Sequence, residues 1–273
     1  VLTLCVGEPG GGAPRAVREA AHAAVDTPLG YSDPDGLVDL REAISGHYRL
    51  RYGVAVDPGR ILVTTGASGG LLAAFLAAFD AGDRVALARP GYPAYRNTLE
   101  ALGCIPVDVA AGPQESFGLR LDALQEAHRH GRLAGVVIAS PSNPTGSVTA
   151  QLPELLAWCA EEGIRVLSDE IYHGITFDSV AVTTAAADPF AITVGSFSKY
   201  WGMTGWRLGW LVLPSDLRAA TSAIAGNLAL CAPVLSQSAA IAAFTPQSYR
   251  ECDERVANVA DASTHLQGRL IEL

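Results

Sequence analysis

The chain has 273 residues, 49% of them hydrophobic and only 17% charged, with a formal net charge of −9. That apolar fraction excludes a disordered or tail-like protein and suffices to bury one large core, or one core with part of a second. The acidic balance, with 19 scattered basic residues, disfavours nonspecific binding to nucleic acid or to anionic membranes, because both depend on basic patches.

Residues 1–29 carry a Gly/Pro-rich segment at 7–14 and the pattern of one helix. Beyond them, short β-branched or apolar runs alternate with segments of helical apolar periodicity. Strands are expected at 61–65, 84–88, 105–109, 135–139, 164–168, 191–195 and 208–213, with helices such as 68–79 and 152–162 between them. The runs are continuously apolar, as strands buried on both faces are. Their alternation with helices implies an α/β fold, a mainly parallel sheet covered on both sides. After Pro214 the pattern is helical to the end, with 248–273 as one long helix. The longest apolar stretch, 69–79, is shorter than the roughly 20 residues a bilayer span needs. The five cysteines, Cys5, Cys104, Cys159, Cys231 and Cys252, are irregularly spaced and include no CxxC pair. They fit buried thiols in a reducing compartment, and with no secretory signal pattern a cytoplasmic location is expected.

Open α/β sheets bind ligands beyond the carboxyl ends of their strands, so the residues after each strand carry the chemistry. After 61–65, Gly66-Ala67-Ser68-Gly69-Gly70 opens a helix. Small residues there let free N–H groups approach an anion, although Gly and Ser also serve as ordinary caps. After 84–88, Arg89-Pro90-Gly91-Tyr92-Pro93 offers Tyr92 either as a rim aromatic or for stacking on a planar ring. After 135–139, Asn143 stands among prolines in Ser140-Pro141-Ser142-Asn143-Pro144-Thr145-Gly146, more constraint than a turn needs. After 164–168 comes Asp169-Glu170-Ile171-Tyr172. A carboxylate at a buried strand end is costly unless paired; a protonated ring nitrogen would pair with Asp169, and a helix cap is its plainer role.

After 191–195 come Ser196, Ser198, Lys199 and, further on, Arg207. Lys199 is the only lysine in the chain. Among hydroxyls and aromatics it can lose its proton and form a Schiff base with an aldehyde, while Ser196, Ser198 and Arg207 could hold a phosphate. His128-Arg129-His130 falls on a helix or its end, where residues two apart do not share a face, so it is expected to be solvated surface and not a metal site.

Ser196-Phe197-Ser198-Lys199, with Arg207 eight positions after the lysine, resembles the cofactor-lysine motif of the class I/II aminotransferases. These are fold-type I pyridoxal-phosphate enzymes of the aspartate aminotransferase kind. Pro141-Ser142-Asn143-Pro144-Thr145-Gly146 and Ser168-Asp169-Glu170-Ile171-Tyr172 are similar to two further motifs of that family, and all stand in the family's order. The resemblance runs from about Val6 to the last residue.

It implies a large domain over 30–247 that binds pyridoxal 5′-phosphate, a segment 1–29 contributing to a small domain and the substrate entrance, and a helix 248–273 leading to the rest of that small domain. Lys199 would then join the cofactor and later move the substrate's α-proton. Asp169 would pair with the ring nitrogen, Tyr172 and Asn143 would donate to the ring 3-oxygen, and Tyr92 would stack on the ring. Ala67, Ser68, Ser196, Ser198 and Arg207 would bind the phosphate. Tyr31 matches a tyrosine that reaches the neighbouring subunit's cofactor, which implies a homodimer. Gly7 and Asn143 would meet the substrate, and Asn143–Pro144 is expected to be cis. The family's clamp for the substrate α-carboxylate, an arginine past the long helix, has no match up to Leu273. A protein of these residues alone is therefore expected to hold the cofactor and turn over amino acids poorly. The implied function is amino transfer between an amino acid and a 2-oxo acid by a ping-pong aldimine mechanism. A β-lyase would share the chemistry and a noncatalytic sensor the shape.

Overall fold

Each expected strand forms, with boundaries moved by a residue or two. In a computed structural model that describes residues 7–177 and 184–271, the chain begins with helices α1 (Arg15–Val25) and α2 (Val38–Tyr52). Then come β1 (Ile61–Thr64), α3 (Gly66–Ala78), β2 (Arg84–Arg89), α4 (Pro93–Ala101) and β3 (Ile105–Ala110). They are followed by α5 (Leu121–Arg129), β4 (Gly135–Ala139), α6 (Leu152–Glu162), β5 (Arg165–Asp169), β6 (Ile192–Ser196) and β7 (Gly209–Val212). Helices α7 (Ser215–Ala229), α8 (Val234–Ala240) and α9 (Pro246–Ile271) complete it. Cys5 and the last two residues of the expected terminal helix lie outside the described residues.

The strands make one sheet in the order β1-β7-β6-β5-β4-β2-β3. Strand β7 runs antiparallel to β1 and β6, and the remaining pairs are parallel. The carboxyl ends of β1, β2, β4, β5 and β6 therefore share one edge. Because β7 is reversed, its start lies at that same edge, with Gly209 opposite both Thr64 and Ser196. This reversal delivers Arg207, two residues earlier, to the place where the parallel strands end.

Alternate residues of each strand enter different cores. Val137, Leu167, Ile192 and Leu211 pack with Leu71 and Phe75 of α3 and Leu99 of α4. Val136, Ile138 and Val166 pack on the opposite face with Leu124 of α5 and Leu155 of α6. A third cluster joins Phe197, Trp201 and Trp210 to α1, α2 and α8. Fully burying such a side chain contributes roughly 1.5–3 kcal/mol, so the two-sided packing holds the sheet edge firmly.

Helix α3 starts two residues earlier than expected, because Gly66 supplies the left-handed conformation (φ +74°) needed to turn from β1. Its start lies directly against β7. A Cβ on Gly209 would come within 2.8 Å of the backbone of Gly66, Ala67 and Gly195, which has no room to yield. Gly209→Ala would thus push the start of α3 off the sheet.

Candidate active site

A cavity of about 620 Å³ opens at this edge, lined by Gly7, Glu8, Ala67, Ser68, Leu71, Tyr92, Tyr95, Asn143, Asp169, Ile171, Tyr172, Ser198, Lys199, Thr204 and Arg207. Ten of the residues singled out in the sequence thus meet in one place. Two do not. Ser196 is buried at the end of β6, where its hydroxyl accepts the backbone N–H of Ser198 at 3.0 Å; it shapes the turn and does not line the cavity. Tyr31 lies away from it and is 84% exposed.

One end of the cavity suits an anion. Helix α3 begins here, and its N-cap Thr65 makes no side-chain cap hydrogen bond, leaving first-turn N–H groups free to meet a ligand. Arg207 stands beside them: a Cβ on Gly66 would come within 2.6 Å of Arg207 Nη2. Arg207 also holds a left-handed backbone conformation (φ 51°, ψ 52°) and donates from Nη1 to the carbonyl of Thr204 at 2.9 Å. A non-glycine residue there costs on the order of 1 kcal/mol or more, and the surrounding turn sustains it.

Asp169, at the end of β5, is 3% exposed. Burial, with a smaller push from Glu170, raises its carboxyl to about 6, against hydrogen bonds from the Tyr95 hydroxyl and the Ile171 backbone that pull it down. Tyr95 donates to Oδ2 at 2.6 Å and the Ile171 N–H to Oδ1 at 3.1 Å. No cation is among these partners.

Lys199 follows β6 and is half-buried. Burial lowers its proton affinity, the Glu8 carboxylate opposes that, and Arg207 lowers it further. Its ammonium donates to the carbonyl of Gly7 at 2.8 Å and lies 5.8 Å from the centre of the Tyr172 ring. Asn143 Nδ2 donates to the Tyr172 hydroxyl at 3.4 Å, so two polar groups converge on one point. The Asn143–Pro144 peptide is cis, as expected, as are Ser140–Pro141 and Arg89–Pro90. Tyr92 caps the start of α4, 40% exposed, with the Tyr95 ring edge-on to it.

Sequence reasoning missed Tyr95, Glu8 and Thr204, whose hydroxyl donates to Glu8 Oε1 at 2.5 Å. Tyr95 left one signal: it lies three residues after Tyr92 at the start of a helix, and a buried tyrosine hydroxyl demands a partner. His128 packs edge-on to Trp158 beside Glu162, and His130 lies against Glu126. No group of three or more potential metal ligands occurs among the described residues. Nor is any helix there long and apolar enough to cross a membrane.

Residues 1–273 match the family described as aminotransferase class I and II. The chain is 48% identical over 265 residues to a Mycobacterium tuberculosis protein named valine–pyruvate aminotransferase, a match spanning 95% of this chain and 68% of that protein. An aspartate aminotransferase of Streptomyces avermitilis is 35% identical over 81% of this chain and 57% of its own length. The crystal structure of an aminotransferase from Mycobacterium tuberculosis superposes with a TM-score of 0.92 at 47% identity, over 95% of this chain and 68% of that one. The chain thus spans 57–68% of the length of these relatives.

Proposed function

The chain belongs to the class I and II aminotransferase family, and from that premise we propose that it binds pyridoxal 5′-phosphate at the strand-end cavity and serves amino transfer between an amino acid and a 2-oxo acid. One observation carries this reading. The chain's only lysine and a buried aspartate without a cationic partner, each shifted by burial toward its uncharged form, line the same cavity as an uncapped helix N-terminus beside an arginine. An aldehyde, a protonated ring nitrogen and a phosphate satisfy these three demands within one molecule.

When bound, the cofactor supplies an electron sink that makes the α-proton of an amino acid labile. The protein holds and steers. Lys199 would hold the aldehyde carbon and, once released, move the proton at the substrate α-carbon; burial lowers its proton affinity and so favours the uncharged amine that a base requires. Asp169 would hold the proton on the ring nitrogen. Asn143 and Tyr172 would donate to the ring 3-oxygen, and Tyr92 would cover one face. The first turn of α3 at Ala67 and Ser68, with Ser198 and Arg207, would bind the phosphate. Ser196 supports that cradle by fixing the Ser198 backbone. Gly7 and Asn143, which line the cavity, would meet the incoming substrate.

The similarity to a valine–pyruvate aminotransferase supports valine as donor and pyruvate as acceptor. The exposed Tyr31, with Val38, Leu228 and Leu230 also exposed, supports a homodimer in which Tyr31 reaches the partner's cofactor. The free thiols Cys104, Cys159, Cys231 and Cys252 support a reducing compartment such as the cytoplasm. A half-reaction experiment tests the activity. With valine alone, the loaded protein should release one equivalent of oxo acid per site and stop; added pyruvate should restore turnover and yield alanine. Sustained ammonia release from a cysteine conjugate without any acceptor would instead identify a lyase.

A further inference from the structure

Asp169 faces few charged or titratable groups. From α4 they are Tyr95 and Tyr92, and from its own segment Glu170 and Tyr172; across the cavity are Lys199, Arg207 and Glu8. Strands β4 and β6 and helix α3 contain no titratable residue. Of all these, Tyr95 alone donates a side-chain hydrogen bond to the carboxylate, at 2.6 Å. Tyr95 is 6% exposed, and its ring meets Tyr92 edge-on, with centroids 5.4 Å apart and planes at 82°. The stacking candidate and the aspartate are therefore tied together through one buried phenol.

We propose that Tyr95 is a positioning residue that holds Asp169 beneath the ring and keeps the proton shared between Asp169 and a bound ring nitrogen on the nitrogen. This rests on the reading that pyridoxal 5′-phosphate occupies the cavity.

The physical reason is a near balance. Burial, with the Tyr95 and Ile171 hydrogen bonds pulling against it, brings Asp169 to about 6, the range in which a pyridinium also gives up its proton, and without Tyr95 the carboxyl would rise further. Two groups so matched share a proton almost evenly, and one donor to the carboxylate decides between them. A hydrogen bond to the charged carboxylate stabilises Asp169 without its proton, so the proton resides on the ring, where electron withdrawal requires it. Tyr95 stays a donor, because burial and the adjacent Asp169 raise its phenol well above its ordinary value. Hydrogen bonds to charged groups imply that removing this one moves the proton ratio about 10–100-fold toward Asp169.

The test loads the protein with pyridoxal 5′-phosphate carrying an isotope-labelled ring nitrogen and reads its chemical shift by NMR across pH. Tyr95 is replaced by phenylalanine and, separately, by 3-fluorotyrosine, which retains both ring and hydroxyl and is the stronger donor. Asp169→Asn is the control for the ring partner. The expected order of ring-nitrogen protonation is fluorotyrosine at or above tyrosine, with phenylalanine clearly below both and Asp169→Asn lowest. If Tyr95→Phe keeps the parent shift while Asp169→Asn changes it, the role given to Tyr95 is overturned and the cofactor reading stands. If Asp169→Asn also keeps the parent shift, Asp169 is not the ring's partner and both fail.

Discussion

Lys199, Asp169 and Arg207 show how the sequence exposed some candidate site residues and hid others. A single lysine in 273 residues is visible without any fold, and a carboxylate ending an apolar strand raises the question of its partner. Ser196 looked equivalent to Ser198, both being hydroxyls near the lysine. Only the turn geometry separates them, by folding Ser196 inward onto the Ser198 N–H. Tyr95 was hidden because its value lies in one long-range hydrogen bond to a residue 74 positions away. For Arg207, Arg207→Gln keeps much of the side chain and removes the charged fork. Cofactor affinity should fall about 10–100-fold, as expected when a charge-assisted pair is lost. Unphosphorylated pyridoxal should bind the variant and the parent alike. Equal loss for both ligands would show that Arg207 does not contact the phosphate.

Strands were the most legible elements, because burial on both faces writes a continuous apolar run that local reading detects. Their order was not legible, since pairing is non-local, and the reversal of β7 that brings Arg207 to the site left no local trace. Helix α2 adds a property of its own. Its His47 is packed among Tyr48, Tyr52, Trp201, Trp210, Phe244 and Tyr249, and its Nδ1 shares a 2.8 Å hydrogen bond with the Tyr249 hydroxyl of α9. Burial, with the nearby Arg51 and His173, lowers its pKa from 6.5 to about 3. The unfolded chain therefore binds a proton that the folded chain refuses. Stability is fully present above pH 6.5 and falls as pH drops toward 3, by on the order of 4 kcal/mol across that window. Urea midpoints measured against pH should show this slope. It should flatten in His47→Gln, which can keep a hydrogen bond to Tyr249 but does not titrate. An unchanged slope would place the acid sensitivity elsewhere, His173, whose pKa burial also lowers, being the next candidate.

Across the molecule, one sheet edge gathers residues from the carboxyl ends of five strands and from the start of β7, and this convergence is what the ordered motifs foretold. Strand-end reading and family resemblance together pointed to ten of the cavity's residues, whereas the donors that meet the Asp169 carboxylate and the uncapped start of α3 required coordinates. Lys199 as the attachment point of pyridoxal 5′-phosphate is cleanly testable, because the chain has no other lysine. The loaded protein should be reduced with borohydride, digested and mapped by mass spectrometry. A pyridoxyl label confined to the peptide containing Lys199, and absent after Lys199→Ala, is the predicted result. A label found only on the α-amino group, or retained at the same level in Lys199→Ala, would contradict it.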